Sequence, residues 1–353
     1  GLIMKSYSEI SLEKFNKFKD RNDYIILAIE SSCDETAVAI TKGREILSSS
    51  VFSQIDIHKA YGGVVPEIAS RNHVEAIDKV LDEALEKAKL TLKDIDLIAF
   101  TKGAGLLGAL LVGVCYAKAL AYALEIPFIG VNHIKGHLAA NFINSPNLEY
   151  PFIGLIASGG HTEILKVESF KGAKVLGETV DDAVGEAFDK VARVIGLPYP
   201  GGPEIDKLAK TGKAKYKFTR PFKGQDHLNF SYSGLKTGVI NLVHNAKQKG
   251  EEIYPQDLAK SFQDEAIGFL VDNTIKASKQ NNIPKIVIAG GVAANSYLRQ
   301  EFEKICKKEN IDLYIPPVWL CTDNAAMIGV AAYEEIKEGA MPDDLSLDAD
   351  PSL

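Results

Sequence analysis

Cysteine is scarce: Cys33, Cys115, Cys306 and Cys321 are the only four in 353 residues, and no two stand at a short paired spacing. That excludes a zinc ribbon or a disulfide-stapled scaffold and suits a reducing compartment, where each thiol behaves as a small buried hydrophobe. Long apolar runs are missing too. Charges interrupt every stretch before it reaches the roughly 18 residues that a membrane-spanning helix needs. The first 23 residues mix Lys with Glu and Asp, and have neither the apolar core of a signal peptide nor the acid-poor character of a transit peptide. The expectation is a cytoplasmic protein without a membrane partner.

A positive excess is also absent. The net charge is −7, so bulk electrostatics excludes a general nucleic-acid binder, and any RNA contact needs a local patch. One stretch offers it. Lys207, Lys210, Lys213, Lys215, Lys217, Arg220 and Lys223 occur without an intervening acid, interleaved with Tyr216, Phe218 and Phe222. Lysines can neutralise phosphates and aromatics can stack on unpaired bases, although a solvated lysine-rich loop would read the same way.

What is present is an α/β pattern given twice. Ile25–Glu30 is an apolar run with the look of a buried strand, followed by strand-like segments at 36–41 and 45–53. Residues 151–157 and 162–167 repeat the theme. Short apolar strands at 96–100, 128–131, 285–289 and 313–315 then alternate with segments of helical periodicity, such as Val74, Ile77, Leu81, Leu85 and Ala88. The polar stretch 144–150 is the expected join. Two lobes follow, one over 24–144 and one over 151–323, with a polar extension at 1–23 and a terminal helix and tail at 324–353 that return to the first lobe.

Several strands run into small-residue turns: Thr101-Lys-Gly-Ala-Gly105, Ser158-Gly-Gly-His161 and Gly290-Gly-Val-Ala-Ala-Asn295, with Pro200-Gly-Gly-Pro203 as a further rigid turn. Glycine lets backbone amides approach a phosphate, and a helix start adds partial positive charge. With no Walker-type motif in the chain, these turns point to a nucleotide cleft of another kind. Acids lie near them. Asp34 and Glu35 follow the first strand, and Asp181, Asp182, Glu186 and Asp189 are expected along one helix, unless these acids simply face solvent or cap helix ends.

His133 and His137 stand four apart in Asn132-His-Ile-Lys-Gly-His137. On a helix that spacing puts both imidazoles on one face, close enough to share a first-row metal ion. A third ligand must come from elsewhere. Asp323 heads the last long helix, where either it or Thr322 could instead serve as the N-cap. Between the histidines stand Ile134, Lys135 and Gly136, so the glutamate that a zincin protease requires beside its first histidine is missing.

In series, these segments resemble the universal tRNA threonylcarbamoyladenosine family, whose bacterial members are called TsaD. The matching stretches are Glu30-Ser-Ser-Cys-Asp-Glu-Thr36, Gly62-Gly-Val-Val-Pro-Glu-Ile-Ala-Ser-Arg71, Asn132-His-Ile-Lys-Gly-His137 and Ser158-Gly-Gly-His-Thr162. They continue with Asp182-Ala-Val-Gly-Glu-Ala-Phe-Asp-Lys190, Tyr199-Pro-Gly-Gly-Pro203, Phe230-Ser-Tyr-Ser-Gly-Leu-Lys236, Ala289-Gly-Gly-Val-Ala-Ala-Asn295 and Cys321-Thr-Asp-Asn324.

The resemblance implies an α/β, two-lobed actin-like ATPase (sugar kinase and heat-shock ATPase) fold with an interlobe cleft. It implies transfer of threonylcarbamoyl from threonylcarbamoyl-adenylate to the exocyclic amine of the adenosine beside the anticodon, in tRNAs reading codons that start with A. One divalent metal ion, iron(II) or zinc, would be held by His133, His137 and Asp323. The adenylate would lie against Ile156, Ala157, Ser158, Gly159, Gly160, Asp189, Gly202, Asp206 and Asn295, and Asp34 and Glu35 match an acidic pair needed for activity. Partners would be tRNA, a TsaB-like paralogous subunit and a TsaE-like ATPase, with a homodimer as a further state. Ala104 departs from the proline usual in the family, and the extension before Tyr24 is outside the motif set. A small-molecule kinase of the same fold, or a non-catalytic scaffold, are the rival readings. The kinase would have no use for a histidine pair, and the scaffold would have lost these residues.

Overall fold

The computed structural model describes residues 4–32, 35–53, 60–63 and 65–352, with the side chains of Glu35, Ser53, Ala69 and Ser70 outside that description. Its strands are β1 Ile25–Glu30, β2 Glu35–Lys42, β3 Glu45–Ser53, β4 Leu97–Gly103, β5 Phe128–Asn132, β6 Phe152–Ala157, β7 Thr162–Val167, β8 Ala173–Glu178, β9 Lys285–Ala289 and β10 Asp312–Tyr314. Its longer helices are α1 Tyr7–Phe18, α2 Pro66–Ala88, α3 Leu107–Leu124, α4 His133–Asn144, α5 Val184–Ile195, α6 Gly201–Ala209, α7 Ser233–Lys249, α8 Pro255–Gln280, α9 Ser296–Glu309 and α10 Ala325–Lys337. The chain divides into two compact units, one of 1–57, 64–148 and 323–353, the other of 58–63 and 149–322.

Each unit is built on the same five-stranded sheet. The first has the order β3-β2-β1-β4-β5 and the second, read from its other edge, β8-β7-β6-β9-β10. In both, three antiparallel strands make a meander and two further strands join in parallel. This topology is why β6, and β1 up to its closing Glu30, are apolar: each is central and covered on both faces, so no alternation survives. β8, at an edge of the second sheet, is largely exposed or half-buried.

In the first unit, Leu27, Ile29, Val38, Ile40, Ile98 and Phe100 pack with Ile77, Val80, Leu81, Val114 and Ala117 of α2 and α3. α3 has mean hydropathy 1.8 and, by length and composition alone, could cross a membrane, because Lys118 is its one charge. Its buried residues, Ala109, Leu110, Gly113, Val114, Ala117 and Ala121, form one stripe against the sheet, as expected of a covering helix in an α/β layer.

α10 packs against α4, β1 and β2. Small residues set the separation. A Cβ on Gly329 would fall 2.3 Å from Thr41 Oγ1, and one on Gly136 would fall 2.8 Å from Ile328 Cδ1, so neither position accepts a larger side chain without displacement. Arg44 locks the same corner. It pairs with the buried Glu334 at 2.5 Å and lies 4.1 Å over the ring of Phe142.

The polar extension is not a loose tail. α1 buries Phe15 and Phe18, the latter against Tyr24, and Tyr7 Oη donates to the Ile126 carbonyl at 2.6 Å. After α10 the chain runs beside the exposed edge of β5: Asp343 N donates to Phe128 O at 2.9 Å, and Gly130 N donates to Asp343 Oδ2 at 2.7 Å. An unpaired strand edge is thereby covered. Among the described cysteines, Cys306 and Cys321 are buried and Cys115 is exposed, and burial pushes the Cys306 thiol up to about 11.

Candidate metal centre and glycine-rich turns

The first unit brings three ligand groups together. β5 ends at Asn132, whose side chain caps α4 by accepting from Ile134 N at 2.7 Å, so His133 opens the helix and His137 follows one turn later. Both rings face the same way, with their Nε2 atoms 3.1 Å apart. Asp323 Oδ1 completes a triangle, 3.1 Å from His133 Nε2 and 3.2 Å from His137 Nε2. Neither Thr322 nor Asp323 caps the last helix. Asn324 does, accepting from Met327 N at 3.0 Å, and this leaves the Asp323 carboxylate for the histidines.

The donor set fits a small cation. Adjacent ligands of a tetrahedral ion with bonds of 2.0–2.1 Å lie about 3.3 Å apart, close to the observed separations. The chemistry agrees. His133 Nδ1 lies 3.1 Å from Glu30 Oε2, a carboxylate that only accepts, so Nδ1 carries the proton and Nε2 presents its lone pair inward. His137 is nearly fully buried, and its Nδ1 has no hydrogen-bond partner among the described residues. Two imidazole lone pairs and a carboxylate facing one another need a positive charge among them.

Glu30 was not foreseen as a functional residue, although an acid closing an otherwise apolar strand is the signal that marks it. It is completely buried and accepts three hydrogen bonds: from Ser32 N at 2.6 Å, Thr101 Oγ1 at 2.5 Å and His133. Burial alone would raise its pKa, but the adjacent His133 outweighs that and holds it below the usual carboxylate range. Burial likewise disfavours charge on His133, and Asp323 and Glu30 override it, raising the pKa of that imidazole well above its ordinary value, so a proton and a metal ion compete for Nε2. Asp323 is held strongly down, with His133 overcoming its own desolvation. Asp34, expected with Glu35 after the first strand as an acidic pair needed for activity, lies outside the described residues, as does the side chain of Glu35, whose backbone opens β2.

The turn 101–105 belongs to the first unit, where a Cβ on Gly105 would fall 2.5 Å from Ser32 O; the other glycine-rich turns lie in the second unit. Ile156 and Ala157 end β6, and Ser158, Gly159 and Gly160 turn the chain into β7. Gly185 N, in the first turn of α5, donates to Ser158 O at 3.1 Å; a Cβ on Gly185 would fall 2.7 Å from Gly159 Cα. Gly290 closes in from the end of β9 with φ +98°, and a Cβ there would fall 2.3 Å from Ala157 O. Only glycine serves at such contacts. Space is open around Gly159, Gly160 and Gly202, where an added Cβ would meet nothing within 4 Å.

The polar residues expected at this site are engaged with the protein. Asp189 accepts from Gly201 N at 2.9 Å, tying α5 to the start of α6. Asp206 accepts from Ser296 N at 2.9 Å and Ser296 Oγ at 2.7 Å. Asn295 caps α9 by accepting from Leu298 N at 2.9 Å and donates to Gln263 Oε1 at 2.7 Å. These bonds make a rigid frame around the turns. Asp181 and Asp182 do not lie on a helix as expected, because α5 starts only at Val184. Asp181 instead receives Ser231, Tyr232 and Ser233 at the start of α7, and Asp182 pairs with Lys190 and Lys236.

Comparison with known proteins agrees with this architecture. The profile of the family described as "TsaD: tRNA N6-adenosine threonylcarbamoyltransferase" matches residues 45–330. A tRNA N6-adenosine threonylcarbamoyltransferase from Clostridium perfringens (strain SM101) is 54% identical over 334 residues, 94% of this chain and 98% of the relative. One from Clostridium botulinum (strain 657) is 55% identical over 330 residues, 93% of this chain and 97% of the relative. Among solved structures, full-length HypF in its phosphate- and nucleotide-bound form superposes with a TM-score of 0.60 at 16% identity, over 91% of this chain and 57% of that one. The Acidaminococcus fermentans (R)-2-hydroxyglutaryl-CoA dehydratase component A gives 0.51 at 14%, over 89% of this chain and 100% of that one. At such identities the structural likeness speaks for the fold alone, which is the two-lobed actin-like ATPase fold.

Proposed function

The chain belongs to the tRNA N6-adenosine threonylcarbamoyltransferase family and carries out that transfer, and from this premise we propose how its residues divide the work. His133, His137 and Asp323 hold one divalent ion, iron(II) or zinc. The observation that carries this is the triangle of three acceptor atoms 3.1–3.2 Å apart, with Glu30 fixing the tautomer of one of them. When bound, such an ion would supply Lewis acidity toward a substrate oxygen.

The turn of Ile156, Ala157, Ser158, Gly159 and Gly160 receives the adenylate, together with Gly202. Its exposed backbone offers N–H groups to a phosphate, and the open space around the three glycines supports that approach. Asp189, Asp206 and Asn295 keep the turns in place and border the nucleotide. The reaction forms a bond between the exocyclic amine nitrogen and the carbamoyl carbon and breaks the carbon–oxygen bond of the anhydride, so AMP leaves with the bonding pair. Asp34 or Glu35 takes the amine proton, a role suggested by their place directly after β1. The target adenosine has to leave its stack, which is easiest in a single-stranded loop.

The tRNA and threonylcarbamoyl-adenylate are the substrates, a TsaB-like subunit and a TsaE-like ATPase the protein partners, with homodimerisation as a further state and the cytoplasm as the site of action.

The test supplies threonylcarbamoyl-adenylate and an unmodified tRNA transcript to the purified protein, with and without those partners. Nucleosides are analysed by mass spectrometry and metal content is measured, with His133→Ala in parallel. Modified adenosine that disappears in the variant along with the metal supports the assignment. A variant that loses the metal but keeps the transfer rate removes the ion from the reaction.

A further inference from the structure

The basic stretch from Lys207 to Lys223 separates into two kinds of residue. Its aromatics turn inward: Tyr216, Phe218 and Phe222 pack against the core of the second unit. Arg220 is also committed to the fold. It pairs with Glu265 at 2.8 Å and Asp272 at 2.5 Å, with its guanidinium 5.4 Å from the ring centre of Phe269. Lys215 reaches Asp257 at 3.4 Å while staying half exposed.

The remaining cations point the other way. From 215 to 220 burial alternates, with residues 216, 218 and 220 half-buried and 215, 217 and 219 exposed. Lys213 and Lys217 are exposed on this stretch, Lys207 and Lys210 at the end of α6, and Lys223 in the turn that follows. None of the five makes an ion pair with a described residue. Their backing is firm, because the segment is laced along α8. Lys213 N donates to Asp257 Oδ1 at 2.8 Å, Tyr216 N donates to Ser261 Oγ at 3.1 Å, and Arg220 reaches Glu265 one turn further on. The four acids of that helix are matched already, Asp257 by Lys215, Glu265 and Asp272 by Arg220, and Asp264 by Lys260.

We propose that Lys207, Lys210, Lys213, Lys217 and Lys223 form a strip that contacts the phosphate backbone of the tRNA substrate. The inference rests on the transferase reading and adds the surface by which a protein of net charge −7 holds a polyanion. Charge complementarity selects the occupant: unpaired, outward, same-sign side chains on a rigid support attract a phosphate chain. Base stacking plays no part here, since every aromatic of the segment faces the core.

The experiment uses the full chain, with its partner proteins where transfer requires them, and the triple variant Lys210→Glu, Lys217→Glu, Lys223→Glu. The apparent KM for tRNA is expected to rise roughly ten-fold or more, with kcat at saturating tRNA and the KM for the adenylate retained. The dependence of log affinity on log salt should flatten by about 0.7 per lost contact, or about two in all. Direct filter binding of an unmodified tRNA transcript reads the strip even if transfer is not observed, so failure of the transferase reading and failure of the strip are distinguishable. Unchanged tRNA affinity and salt slope in a variant with an unaltered thermal melt would overturn the proposal, as would a fall in kcat alone.

Discussion

Glu30 Oε2 and His133 Nδ1 lie 3.1 Å apart inside the first unit, joining the carboxyl ends of β1 and β5 through a carboxylate with no exposed surface. The contact determines which nitrogen of His133 carries hydrogen and therefore which one faces Asp323 and His137. A carboxylate behind a ligating imidazole raises its basicity and fixes its orientation.

Glu30→Gln keeps the volume but replaces an obligate acceptor with an amide that can present either oxygen or nitrogen. The expected result is a 10–100-fold loss of metal affinity with the fold intact. Competitive chelator titration monitored by elemental analysis measures it. Affinity equal to wild type would mean that the carboxylate serves only Ser32 and Thr101.

Asp323→Asn should lose most of the bound metal, because the amide supplies one neutral oxygen in place of a charged one. Asn324→Ala, one residue later, should instead cost about 1 kcal/mol of stability through loss of the α10 cap, with the metal retained at first. Thermal melts and metal analysis on both variants separate ligand from cap. A reversed pattern would reassign the two residues.

Asp181 accepts from Ser231 Oγ, Ser233 Oγ and Tyr232 N at 2.5, 2.7 and 2.8 Å. Partial burial pushes its pKa up, but these bonds outweigh it and leave the folded-state value lowered. A depressed carboxylate contributes stability above its unfolded pKa and loses it as pH falls through the folded one. Asp181→Asn should therefore cost about 1 kcal/mol at neutral pH and progressively less in acid. Urea midpoints across the acid range test this, and a deficit independent of pH would show that charge is not involved.

α1 contributes Phe15, 1% exposed, to the first unit. Phe15→Ala should destabilise by about 3 kcal/mol, with metal content unaffected. A melting temperature within a degree of wild type would mean that α1 docks too weakly to matter.

Much of this molecule follows from local sequence alone. Central strands such as β1 and β6 were legible because burial on both faces demands uninterrupted apolar runs. The histidine pair was legible because a helix turns once in 3.6 residues, and the glycine turns because only glycine tolerates such close backbone approach. The α1 docking was not legible, since its mixed-charge composition conceals that Phe15 and Phe18 face inward. Nor was the division of the basic segment: composition counts seven cations, whereas packing along α8 decides which ones are paired and that the aromatics are buried. Asp323 is marked in the sequence by the family resemblance, but its contact with the histidines, like that of Glu30, depends on the sheet order and the close contact of α4 with α10 at Gly136. Those contacts join residues far apart in the chain, and pattern and propensity act only over a few residues, so tertiary structure alone could decide them.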